Sequence, residues 1–206
     1  MIVTCGVLAL FLAQMWVAAP LFGPVRWTSW LAIGAGLALC VWSNRRERAS
    51  WGFAREAILP GLGWAALLTL PVVALLFAAG WWLGTLHPRS HLPLRFATLV
   101  LWALVQQWVL QTVILREARD TFSRRVALLV APALFALVHL PNPFLAPATF
   151  LAALGWCWVY DRHPNIVPIA LSQAAASLTV VLALGPEITG GMRVGYGYFL
   201  KHGIWL

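Results

Sequence analysis

The stretch LVQQWVLQ, residues 104–111, sits inside an otherwise apolar run and carries Gln106, Gln107 and Gln111. A primary amide left unpaired in hydrocarbon costs roughly 1–3 kcal/mol by protein-derived estimates. The three amides therefore require partners, and what those partners are decides what kind of protein this is. On a helix Gln107 and Gln111 stand one turn apart on a shared face, with Gln106 beside them. They point toward one partner region.

The surrounding run is one of several. Of the 206 residues, 62% are hydrophobic and 10% charged, a balance that a soluble globule of this size cannot hide from water. The expected fold class is all-α, a polytopic transmembrane helix bundle forming a single integral membrane domain over 1–206. Apolar stretches able to cross a bilayer, about 20 residues each, read at 2–22, 27–43, 60–85, 93–115, 126–140, 146–160 and 166–184. That makes about seven spans. The first lacks a basic n-region and outruns a signal peptide's apolar core, so it reads as a retained helix.

The net charge of +8 resides in the loops. Arg45, Arg46, Arg48 and Arg55 follow the second span, and Arg116, Arg119, Arg124 and Arg125 follow the fourth. Both loops fall on one side, which by the positive-inside rule places the N-terminus in the cytoplasm. The bilayer thus accounts for the charge, and no nucleic-acid partner is implied. Cys5, Cys40 and Cys157 lie in apolar segments without metal-ligand spacing and read as small core residues. Trp27, Trp42, Trp51, Trp81, Trp82 and Trp158 fall near span ends, as interfacial anchors do. The segment 44–59 reads either as a short interfacial amphipathic helix or as a charged loop. The tail 185–206 is too irregular to span and is expected to fold back on the protein or the interface.

Two further polar clusters stand within apolar surroundings. FALVHLPNP, residues 135–143, places Phe135 and His139 one turn apart on a helix that must end near Pro141, with Asn142 beyond. DRHPNIVPIALSQAAAS, residues 161–177, brings Ser172, Gln173 and Ser177 into the last span, Gln173 and Ser177 again one turn apart.

In their order these clusters resemble the CPBP family, the CAAX-protease and bacteriocin-processing group also called Abi. Its three motifs read Glu-Glu-x-x-x-Arg, Phe-x-x-x-His and His-x-x-x-Asn or Asp. Here the first becomes Gln106, Gln107 and Gln111, the second is intact as Phe135 and His139, and the third becomes Gln173 and Ser177. ILRE, HLPNPF and WVYDRHPNIVPIALSQ around them look like family sequence, and the resemblance covers about 93–180. It implies a CPBP-like helical core in a bacterial inner membrane, and a site at Gln106, Gln107, Gln111, His139, Gln173 and Ser177. It also implies hydrolysis of peptide bonds by a glutamate that activates water.

That chemistry meets an obstacle. A general base must take a proton near the working pH, and an amide does not. The six carboxylates, Glu47, Glu56, Glu117, Asp120, Asp161 and Glu187, all fall in loops or at span ends. Zinc wants three or four ligands, and the apolar core offers His139, while His87, His91, His163 and His202 lie in loops or the tail. No cofactor or metal is expected. The glutamines are expected to bond with His139, Asn142 and Gln173 across three helices. Three readings follow: a degenerate relative serving as membrane adaptor or accessory subunit, with other membrane protein subunits as candidate partners; an active intramembrane endopeptidase with an atypical Gln/His site; and, ranked last, a transporter.

Overall fold

The computed structural model describes residues 1–22, 26–46 and 51–202. All secondary structure among them is helical apart from a single bridge between Phe53 and Asn165. Seven long rods run in chain order: α1 (2–22), α2 (Arg26–Arg46), α3 (Ile58–Trp82), α4 (92–121), α5 (Arg124–Leu137), α6 (Leu145–Arg162) and α7 (Ile166–Ala183). Two short helices follow in the tail, α8 (Pro186–Thr189) and α9 (Tyr196–His202). Each expected span coincides with a rod. By length and apolarity, four of them suffice to cross a membrane: α1, α3, α4 and α7. The others fall short because α2 carries arginines at its end, α5 is only 14 residues long and α6 ends on a charged pair.

The rods alternate in direction, so Arg45, Arg46, Arg55, Arg116, Arg119, Arg124, Arg125 and Arg162 gather at one end of the bundle. Hydrogen bonds and ion pairs knit that end together. Arg116 donates to Asn44 Oδ1 (2.5 Å) and Ser43 Oγ (2.6 Å), tying α4 to α2. Asp161 on α6 pairs with Arg119 and with Arg124, whose Nε lies 2.8 Å from Oδ2. Arg48 and Glu47 lie outside the described residues, as do 203–206 of the tail. Residues 51–54 form no interfacial helix: they run extended beside 164–166, with Ile166 N donating to Gly52 O (2.8 Å) and Ala54 N to Pro164 O (3.3 Å). Trp51 stacks on Trp108 in the bundle, and that aromatic contact overrides its use as a free anchor.

Lipid supplies little hydrophobic drive between helices, so close packing and interhelical hydrogen bonds must hold the rods. The α3–α7 contact uses the expected device. Gly61, Ala65 and Thr69 recur every fourth residue on α3 and are buried, with Gly61 against Pro168. At Thr69 a polar relay crosses three rods. Trp156 Nε1 donates to Ser172 Oγ (3.0 Å), Ser172 and Thr69 share a 2.5 Å contact, and Thr69 Oγ1 donates to Ala65 O (2.6 Å). Ser172 is therefore helix-to-helix glue. At the other end of the contact a Cβ on Gly80 would stand 2.3 Å from the Ala183 carbonyl oxygen. Gly80→Ala is accordingly expected to separate α3 from α7 and to cost about 1–3 kcal/mol, read as a lower thermal midpoint in detergent.

The central core joins Leu110 and Leu115 of α4, Ala127, Ala131 and Phe135 of α5, Trp156, Cys157 and Val159 of α6, and Ile166 and Ile169 of α7. Cys40 and Cys157 are buried free thiols, in keeping with core residues, but Cys5 is exposed on α1 and faces out of the bundle.

Candidate functional site

In α4 the helix widens by one turn of different register at Gln111. Leu92–Val109 is α-helical, Leu110–Leu115 forms a π-helical turn, and Arg116–Thr121 resumes the α-helix. Single π-helical turns recur at functional sites. Here one buries all six of its residues, Gln111 among them.

Four of the five glutamines in the rods, all but Gln14 of α1, bond to one another in a single directed line. Gln111 Nε2 donates to Gln107 Oε1 (2.9 Å), Gln107 Nε2 to Gln173 Oε1 (2.7 Å), and Gln173 Nε2 to Gln106 Oε1 (2.6 Å). Gln107 and Gln111 are sealed from outside. Two rods, α4 and α7, thus satisfy each other's amides. The line ends at Gln111 on a carbonyl without a partner and at Gln106, whose Oε1 is already taken and which lines a cavity.

His139 and Asn142 do not join this line, contrary to expectation, and in each case a nearer backbone partner wins. His139 Nδ1 lies 2.7 Å from the carbonyl of Phe135, one turn back, and its ring packs edge-on against the Phe135 ring. A carbonyl only accepts, so Nδ1 carries a proton, and when the imidazole is neutral its Nε2 is the acceptor. Asn142 caps α6, its Oδ1 accepting from Phe144 N (3.0 Å) and Leu145 N (2.8 Å). Its Nδ2 donates to the carbonyls of Thr189 and Arg193, both 2.9 Å away. The tail therefore folds back on the protein.

Gln106, His139, Gln173 and Ser177 nonetheless line one cavity of about 480 Å³. Its walls are mostly apolar. Val7, Phe11 and Met15 come from α1, Ile33, Gly36 and Leu37 from α2, Leu99, Trp102 and Val105 from α4, and Met192 and Val194 from the tail. The N-terminal rods carry no specific mark in sequence, yet they form a whole side of the cavity. Apolar side chains facing a cavity read the same as those facing lipid. A stronger signal lay in the tail: Gly190 (φ 60°) packs so tightly that a Cβ would stand 2.7 Å from the Tyr198 ring and 2.8 Å from Asn142 Nδ2. Met192, a cavity-lining residue, also takes a positive φ of 58°, a conformation uncommon for a side chain of its size.

Among the described residues no carboxylate lines this space. Glu117 turns away to the start of α1, where it accepts from Val3 N (3.2 Å) and Thr4 N (3.0 Å) and pairs with the Met1 ammonium (3.0 Å). That is a favourable position for an anion, at a helix N-terminus. Glu187 is exposed on α8. Among the described residues no three His, Cys, Asp or Glu side chains come together as metal ligands would.

An all-helical membrane-type bundle with a line of amides joining its fourth and seventh rods, beside an internal cavity that His139 also lines, defines the class: an integral membrane protein. Residues 88–179 match the family model described as type II CAAX prenyl endopeptidase Rce1-like, over the same segment as the CPBP resemblance of the sequence. The match encloses Gln106, Gln107, Gln111, His139, Gln173 and Ser177. No curated protein and no solved structure matches the chain.

Proposed function

We propose that this is a CPBP-fold membrane protein that has lost proteolysis and works by binding, as a membrane adaptor or accessory subunit. The observation that carries the reading is the glutamine line. At the positions where the family pattern has paired glutamates stand amides that spend their hydrogen bonds on each other, and an amide is not basic enough to draw a proton from water. The family's intact His139 has one ring nitrogen committed to its own helix. The arginine-rich end of the bundle faces the cytoplasm of a bacterial inner membrane, with the N-terminus on that side.

A second reading, an endopeptidase with an atypical site, is favoured by one fact: Gln106 and His139 line the same cavity. A cleavage assay in liposomes, with transmembrane and CAAX-like peptides, separates the two. Wild type is expected to leave every peptide intact, as is His139→Ala. Cleavage by wild type that His139→Ala abolishes would sink the binding reading.

A further inference from the structure

This inference rests on the binding reading and asks what is bound. We propose that the cavity is a site for one uncharged, single-chain amphiphile ending in a hydroxyl, entering sideways from the bilayer between the α1–α2 pair and α4. At about 480 Å³ it has the size of a small-molecule site, within the common range of about 300–1,000 Å³. The wall residues named above are aliphatic, aromatic or thioether side chains, complementary to a hydrocarbon chain.

The polar groups set the head. Gln106 lines the cavity, and with its Oε1 already accepting from Gln173 what it has to spare are N–H donors. His139 is nine-tenths buried and lines the same space, and its Nε2 has no hydrogen-bond partner among the described residues. A neutral Nε2 accepts and does not donate. This donor and this acceptor, with the Ser177 hydroxyl on the same wall able to serve as either, fit a hydroxyl, which both accepts and donates. No Asp, Glu, Lys or Arg lines the cavity. A carboxylate would find no cation and could give His139 no proton, and an ammonium would find no anion. A diacyl phospholipid brings a charged head and a second chain.

The route follows from packing. The α1–α2 pair meets the bundle at the π-helical turn of α4 toward the arginine-rich end, and α1 meets the tail helix α9 at the other. Between those two supports Leu99 and Trp102 of α4 line the cavity, and Trp102 is 44% exposed. That seam is a doorway at membrane depth.

The test uses the full chain in phosphatidylcholine nanodiscs with two probes, hexadecanol and hexadecanoate, each bearing a mid-chain diazirine, at a pH where the acid is ionised. On illumination the alcohol is expected to label the cavity wall, on Met15, Leu99 or Val105, and unlabelled hexadecanol to compete. It should exceed the carboxylate by about fivefold or more, the discrimination of a single hydrogen bond. Gly36→Trp, which fills the cavity beside Phe11, is expected to reduce wall labelling by a similar factor. Equal labelling by the two probes, or labels spread over the outward face of α3 without enrichment on the wall, overturns the proposal. The comparison of probes on wild type needs no variant to fold. Peptide cleavage in the preceding assay would refute the binding-only reading whatever the alcohol labels, so the two failures remain distinct.

Discussion

Asn142→Ala is expected to lower the stability of the folded protein by about 2–4 kcal/mol and to release the C-terminal tail. Asn142 is fully buried and all four of its hydrogen bonds go to backbone. Two hold the first amides of α6, and loss of such a cap costs typically about 1 kcal/mol. The other two satisfy the carbonyls of Thr189 and Arg193, and alanine would strand both in a region from which water is largely excluded. Asn142→Asp separates the two duties. Aspartate keeps the acceptor that caps α6 but offers no donor to the tail, and its charge repels the two carbonyls. Both variants are expected to become sensitive to trypsin at Arg193, which sits in the exposed turn, while only the alanine variant also frays the start of α6. Thermal unfolding in detergent and the rate of tail cleavage measure the effects. A tail that resists trypsin in both variants would show that Asn142 does not hold it.

The same residue explains how far the sequence could be read. The rods were legible because each must present a continuous apolar surface to lipid or to its neighbours, a requirement that leaves long runs with arginines between them. The pairing of the α4 glutamines with Gln173 was legible too, because amides in hydrocarbon must find partners and few existed. His139 and Asn142 were misassigned for a physical reason: backbone carbonyls and amides are present everywhere, and polarity alone does not separate a cross-helix partner from one a single turn away. HLPNPF at Asn142 and HPNIV at Asn165 share a Pro-Asn pair before a helix, and both asparagines are caps. That pattern, read as a helix start, pointed to the backbone. The far wall of the cavity was not legible, since Val7, Phe11 and Leu37 carry no mark that distinguishes a cavity from lipid.

Gln173→Leu is expected to cost about 2 kcal/mol, more than the average of about 0.6 kcal/mol for one interhelical hydrogen bond in a membrane, because it removes two. It strands Gln107 Nε2, sealed inside the protein, and Gln106 Oε1 at the cavity edge. Gln107→Leu strands Gln173 Oε1 and Gln111 Nε2 in the same way. The singles together leave four groups without partners, whereas the double variant leaves only the two outer ones, Gln111 Nε2 and Gln106 Oε1. The double is therefore expected to be less destabilised than the sum of the singles by about 1 kcal/mol, a coupling within the range for residues in one network. Additive costs in thermal or denaturant unfolding would mean that the line is three separate contacts. Coupling would mean that the amides act as one structural element, in which charging a single member, as Gln107→Glu does, disturbs the whole line: a carboxylate at Gln107 still accepts from Gln111 but no longer donates to Gln173. By this argument a lone glutamate restored there is expected to weaken the α4–α7 contact, with no return of proteolysis.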